Sequence, residues 1–158
     1  MNKACQKTGM VHVILSRSYS VYLFCVIIGL ILEMIYPLNI SNIFYSNLGF
    51  IFMCVGTIFI YWAQSTSSTS KKKFLANTNA PRNFALGPYK YSRNPTHIGL
   101  LLVCFGFGFM IGSFFVIILT IFSFVITKLI FLPKEEGLLE KKYGEIYTKY
   151  KSAVKTWI

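Results

Sequence analysis

Aspartate is absent from this chain, and its 158 residues hold only 5 acidic groups against 16 Lys and Arg. Charged residues make up 13% of the sequence, where a soluble domain carries about 25%. With 54% hydrophobic residues and a mean hydropathy of +0.56, water is not the main solvent. The basic excess does not indicate a nucleic-acid partner, because the cations lie between apolar runs rather than across a polar surface. Cys5, Cys25, Cys54 and Cys104 lack CxxC or Cys/His ligand spacing, and three of them sit inside apolar runs as small hydrophobes. Neither a disulfide nor a metal site is expected. No Ser-His-Asp or Cys-His constellation is present either, which argues against a covalent enzyme intermediate.

What the chain does have is long apolar stretches. They run over about 19–40, interrupted only by Glu33, then 48–63, and then 97–132, which is too long for one crossing. A bilayer core about 30 Å thick takes roughly 20 helical residues. The third stretch therefore reads as two spans, about 97–111 and 114–132, with Gly106, Gly108, Gly112 and Ser113 placing the turn. The basic residues sort by loop: three precede the first span, six lie in 65–93, seven run from Lys128 to Lys155, and none lies in the two alternate loops. This distribution puts both termini and the middle loop in the cytoplasm. The expected fold is an all-α polytopic membrane bundle of four transmembrane helices in a single domain, with membrane lipids as its surroundings. Residues 65–73, STSSTSKKK, read as a flexible or interfacial connection. From Pro133 to Tyr150, apolar residues spaced by threes and fours predict a C-terminal amphipathic helix on the cytoplasmic face.

Two stretches on that face carry chemistry. In GPYKYSRNPTHIG, Gly87 to Gly99, the pair Asn94-Pro95 is a helix start: the Asn side chain can cap free N–H groups and a proline at the first position loses nothing. With Arg93 alongside, this end of the helix suits an anion, although a helix start obeying the positive-inside rule needs no ligand. In PKEEGLLEKKYGEIYTKY, Pro133 to Tyr150, Glu135 and Glu136 supply two of the five acids. They suit the first turn of a helix, and could equally hold ribose hydroxyls or offset a cation.

The two stretches together, in this order and separated by an apolar hairpin, resemble the C-terminal half of the isoprenylcysteine carboxyl methyltransferase and phospholipid methyltransferase superfamily. There a G-x-Y segment leads into R-[HN]-P-x-Y-x-G, and after the hairpin comes EE-x-x-L-x-x-x-[FY]-G-x-x-Y-x-x-Y. The resemblance covers about 81–150. It implies S-adenosyl-L-methionine in a cytoplasm-facing pocket closed by the C-terminal helix, with S-adenosylhomocysteine as product. On this resemblance Tyr89, Asn94, Pro95, Thr96, His97, Gly99, Glu135 and Glu136 fall on cofactor-binding positions, within segments of about 81–99 and 133–150. Residues 81–84 fall near a further cofactor-contacting stretch. Arg93, His97 and Glu136 are the implied catalytic residues.

Two positions depart from the pattern. His97 stands where the family usually has tyrosine. Phe131 stands where the isoprenylcysteine enzymes carry an arginine for the substrate carboxylate, which favours a lipid or other hydrophobic small molecule over a prenylcysteine as acceptor. Methyl transfer is an in-line displacement, so the protein has to align the partners and exclude water. An amine or hydroxyl acceptor also needs a base, for which His97, Glu135 and Glu136 are the candidates. The rival expectation is a non-enzymatic membrane scaffold that binds lipid through its basic loop and terminal helix.

Overall fold

The computed structural model describes residues 3–38, 42–76 and 85–156. All regular structure among them is helical: α1 (Lys3–Ile35), α2 (Ile43–Ala76), a short 3-10 turn (Gly87–Lys90), α3 (Pro95–Ile111), α4 (Phe114–Ile126), α5 (Leu132–Tyr143) and α6 (Glu145–Ala153). A π turn, Thr127–Phe131, joins α4 to α5, so that Phe114–Tyr143 is one continuous rod. Two stretches, Ile43–Ser70 and Phe114–Tyr143, are long and apolar enough to cross a membrane, and Tyr19–Ile35 and Pro95–Ile111 are shorter apolar helices. Leu23, Phe24, Phe50, Ile58, Phe122 and Leu129 are exposed on these helices, an arrangement that is stable where the solvent is itself apolar.

Several boundaries differ from those expected. The helix holding the first apolar run ends at Ile35 rather than near residue 40, because Pro37 has no N–H and disfavours helix in the residue before it. Residue 40 lies outside the described residues. The polar segment 65–73, expected to be a flexible or interfacial connection, is not a flexible one but part of α2. Propagation from an established helix costs little, and the Thr66 hydroxyl donates back to the Trp62 carbonyl at 2.8 Å within the same helix. Pro133 falls in the first turn of α5 with Glu135, as expected, but α5 continues the rod from the π turn without a break. The expected terminal helix is also two pieces, broken at Gly144, whose φ of 55° is open to glycine and strained for other residues.

Two helix pairs build the bundle, α2 against α3 and α1 against α4, with α3 and α4 also in contact. The first pair meets backbone to backbone at glycines. A Cβ on Gly49 would lie 2.5 Å from the Gly106 carbonyl oxygen, and one on Gly56 would lie 2.7 Å from that of Gly99. Both helices space these glycines seven residues apart, two helical turns, so the two contacts repeat along one line. Phe52, Phe105 and Phe109 fill the groove between them, the last two edge to face at 4.9 Å. At the hairpin end, Gly112 adopts the left-handed conformation (φ 69°) that closes α3, and the Ser113 hydroxyl caps α4 by accepting from the Val116 N–H. Ser113 also donates to Glu33 at 2.7 Å, fastening the hairpin to the far end of α1.

Candidate functional site

At the opposite end of the bundle from the hairpin, residues distant in sequence converge. Pro95 opens α3 as its first helical residue, but Asn94 does not cap it through its side chain. The Asn94 backbone N–H donates to the Ser92 hydroxyl at 3.3 Å. Asn94 Nδ2 is left buried without a hydrogen-bond partner. Two turns of geometry follow from the α3 start: Thr96 and His97 leave its first turn toward α1 and α5. His97 is only 1% exposed, and neither ring nitrogen has a hydrogen-bond partner. Its Nε2 lies 3.6 Å from Glu135 Oε2, and Glu135 is itself buried.

Glu136, the neighbouring acid, faces a different set of groups. Arg93 Nη1 lies 3.1 Å from its Oε1 and Lys151 Nζ 3.3 Å from its Oε2, while Lys151 also reaches Glu140 at 2.6 Å. Those two carboxylates hold the Lys151 ammonium above its usual range, Glu140 more than Glu136. Two adjacent glutamates therefore have separate surroundings, one against an imidazole and the other between two cations.

The C-terminal segment folds over this end. Arg93 N–H donates to the Lys155 carbonyl at 3.2 Å, the Ser92 hydroxyl to the Thr156 carbonyl at 3.1 Å, and the Arg93 guanidinium to the Thr156 hydroxyl. The Tyr150 hydroxyl donates to the Tyr89 carbonyl at 2.7 Å. Tyr147, Tyr150 and Val154 form a buried cluster beneath, with Leu139 and Tyr143 packed on it. Burial, with Tyr89 nearby, pushes the Tyr150 phenol up to about 12, and burial raises Tyr147 as well.

Of the residues expected in a site, Tyr89, Arg93, Asn94, Pro95, Thr96, His97, Glu135 and Glu136 gather at this end, whereas Gly99 does not join them. A Cβ on Gly99 would meet Ile60 at 2.6 Å and the Gly56 carbonyl at 3.0 Å, so this glycine serves the α2–α3 contact. Residues 81–84 lie outside the described residues. Three participants went unnoticed in the sequence. Tyr19 sets its ring against His97 at a tilt of 48°, centroids 5.7 Å apart, with its hydroxyl beside Thr96. Lys151 and Thr156 hold Glu136 and Arg93. Tyr19 and Lys151 stand in ordinary positions, an aromatic at a span edge and a basic residue in a basic tail, so no local pattern marks them.

The class of protein is thus an all-helical one with membrane-length helices and a buried polar site at one end of the bundle. The profile of the phospholipid methyltransferase family matches residues 44–146, and the chain belongs to that family of membrane methyltransferases. No curated protein and no solved structure gives a significant match. The donor set suits the cofactor that the family implies: an unpartnered amide at Asn94, an unpartnered imidazole at His97, a buried carboxylate at Glu135 and the open N-terminus of α3. Such groups can hold the amino, carboxylate and ribose hydroxyl functions of S-adenosylmethionine.

Proposed function

We propose that the protein is an integral-membrane methyltransferase that uses S-adenosylmethionine to methylate a lipid or other hydrophobic acceptor. The observation that carries the reading is the meeting of His97 with Glu135, at 3.6 Å, beside the unpartnered amide of Asn94. These groups come from two segments that the fold did not need to join at a desolvated point. In this reading all four apolar helices cross the bilayer. The 17 residues of Tyr19–Ile35 and of Pro95–Ile111 give about 25 Å each at 1.5 Å per residue, near the thickness required. The basic loops place both termini and the site in the cytoplasm.

S-adenosylmethionine, when bound, would supply an activated methyl group on a sulfonium, for in-line transfer to the acceptor's lone pair with a neutral thioether as leaving group. The chain's own part is alignment and proton transfer. Asn94, Thr96 and the start of α3 hold the donor, and Tyr89 lies in the turn that the C-terminal helix covers. Glu135 orients the His97 imidazole, which takes the acceptor's proton. Glu136 is engaged by Arg93 and Lys151 and serves to fasten the C-terminal lid rather than to accept that proton. Tyr19 restricts the His97 ring by packing against it at a tilt.

The test is transfer of labelled methyl from S-adenosylmethionine into a membrane lipid extract by the purified protein, alongside calorimetric binding of S-adenosylhomocysteine. Saturable binding and transfer, with both reduced by Asn94→Ala and transfer abolished by Glu135→Gln, are expected. A lipid-binding scaffold would show no saturable affinity for either sulfur compound, and that result overturns the reading.

A further inference from the structure

Buried positions on the Phe114–Tyr143 rod fall at Val116, Thr120, Ser123, Thr127, Leu132 and Glu135, with steps of four, three, four, five and three. Steps of three and four keep one face of an α-helix, and a step of five leaves it. The single five-residue step coincides with the π turn Thr127–Phe131, in which the Leu132 N–H donates to the Thr127 carbonyl. An i→i+5 turn takes up one extra residue, so the buried face runs unbroken from the hairpin to Glu135. π turns of this kind commonly mark functional sites.

Facing this line, α1 presents Tyr22, Cys25 and Gly29, and a Cβ on Gly29 would lie 2.9 Å from the Val116 backbone. The seam between the two helices is lined by fully buried hydroxyls: Tyr22 at 1% exposure, and Thr120 and Thr127 at 0%, of which Thr120 has no hydrogen-bond partner. The Tyr22 hydroxyl lies beside Thr127. One helical turn toward the cytoplasmic end is Tyr19, against His97. Burying three hydroxyls in an apolar bundle is costly, most of all at Thr120, which has no partner. Between Glu33 at one end and Glu135 at the other, the sequence places no charged residue on α1 or α4.

We propose that this seam is the acceptor's polar subsite: Tyr22, Thr127 and Thr120 hydrogen-bond an uncharged oxygen of the acceptor, a hydroxyl or an ester carbonyl, while its reacting atom lies at His97. The proposal rests on the methyltransferase reading and deepens it. A phosphate in the seam would be a desolvated charge with no cation beside it, since Lys128 on the π turn is exposed on another side. A neutral oxygen satisfies the hydroxyls at no such cost. The π turn sets Thr127 and Glu135 on one face, so that one molecule touches both.

The test uses the full-length protein in phosphatidylcholine nanodiscs with three diazirine-bearing probes: hexadecanol, hexadecyl phosphate and hexadecane. Photolabelled peptides are then mapped by mass spectrometry. The alcohol is expected to label 19–25 and 120–127 at least fivefold more than the hydrocarbon, with the phosphate confined to residues near the bilayer surface. Tyr22→Phe with Thr127→Val is expected to remove that excess, and to raise the half-saturating concentration of a membrane lipid extract in methyl transfer while S-adenosylhomocysteine affinity stays within twofold. Excess labelling by an ester-bearing diacylglycerol probe, if greater than by the alcohol, identifies a glycerolipid carbonyl as the natural oxygen. Equal labelling by the three single-chain probes, or an alcohol signal unchanged in the double variant, overturns the proposal. Because labelling does not depend on methyl transfer, that outcome is separate from failure of S-adenosylhomocysteine binding, which would overturn the enzymatic reading instead.

Discussion

The two main helix interfaces of this bundle bury different side chains. Between α2 and α3, glycines bring the backbones into contact and phenylalanines fill the remaining volume. Between α1 and α4, Gly29 also meets the Val116 backbone, but Tyr22, Thr120, Ser123 and Thr127 bury hydroxyls, and the seam leads to the buried His97 and Glu135. Dispersion across a close backbone contact holds helices together in lipid, where no hydrophobic force between them exists. Unpartnered hydroxyls do the reverse, since they lower stability unless something else satisfies them. The difference separates a half of the bundle held by close apolar packing from a half that buries polar groups.

Breaking the chemical half should give the largest effects. His97→Phe keeps an aromatic ring against Tyr19 but removes the imidazole proposed as proton acceptor. Methyl transfer to an amine or hydroxyl acceptor is expected to fall by about 10²–10⁴-fold, measured by single-turnover transfer at saturating cofactor. Inserting one alanine after Ile130, which is exposed on the π turn, lengthens the five-residue step to six, which neither an α nor a π turn absorbs, and rotates Glu135 by about 100° about the rod. We expect transfer to drop at least tenfold while helical circular dichroism is retained; an unaffected insertion variant would show that the register of the π turn is incidental.

Breaking the packed half should leave chemistry alone until the bundle loosens. Gly106→Val adds atoms where a Cβ already lies 2.6 Å from the Gly49 carbonyl, and overpacking of this kind costs about 1–3 kcal/mol. A lowered thermal midpoint in detergent is expected, with S-adenosylhomocysteine affinity unchanged well below it. The smallest effect belongs to Tyr150→Phe, which removes one hydrogen bond to the Tyr89 carbonyl and about 1 kcal/mol. Its pH signature is specific. The folded phenol is raised to about 12 from 10.0, so its neutral form is favoured by folding. That contribution is complete below pH 10 and is lost as pH rises from 10 to 12. Wild-type stability should therefore decline over that interval more steeply than that of the variant, as read from denaturation midpoints.

Much of this arrangement was legible in the residues. Asn94-Pro95 marked the start of α3, Gly112 and Ser113 marked its turn into α4, and the two charged motifs marked the ends that come together. The helical continuation through 65–73 was hidden, because serine and threonine runs read as loop until a helix already formed upstream carries them along. The break at Gly144 was hidden as well, since the apolar spacing from Leu139 to Tyr150 passes through it without interruption.

Composition and order alone determined that the chain is helical, that its solvent is apolar, and that its ionisable groups concentrate at one end, because these follow from local hydrophobicity and the cost of burying charge. Only the tertiary structure separated the adjacent acids, giving Glu135 to His97 and Glu136 to Arg93 and Lys151. It also brought in Tyr19 and turned Thr127 and Glu135 to one face. Those assignments depend on how far one helix has rotated when it meets another, and a single π turn changes that rotation without changing the local preference of any residue in it.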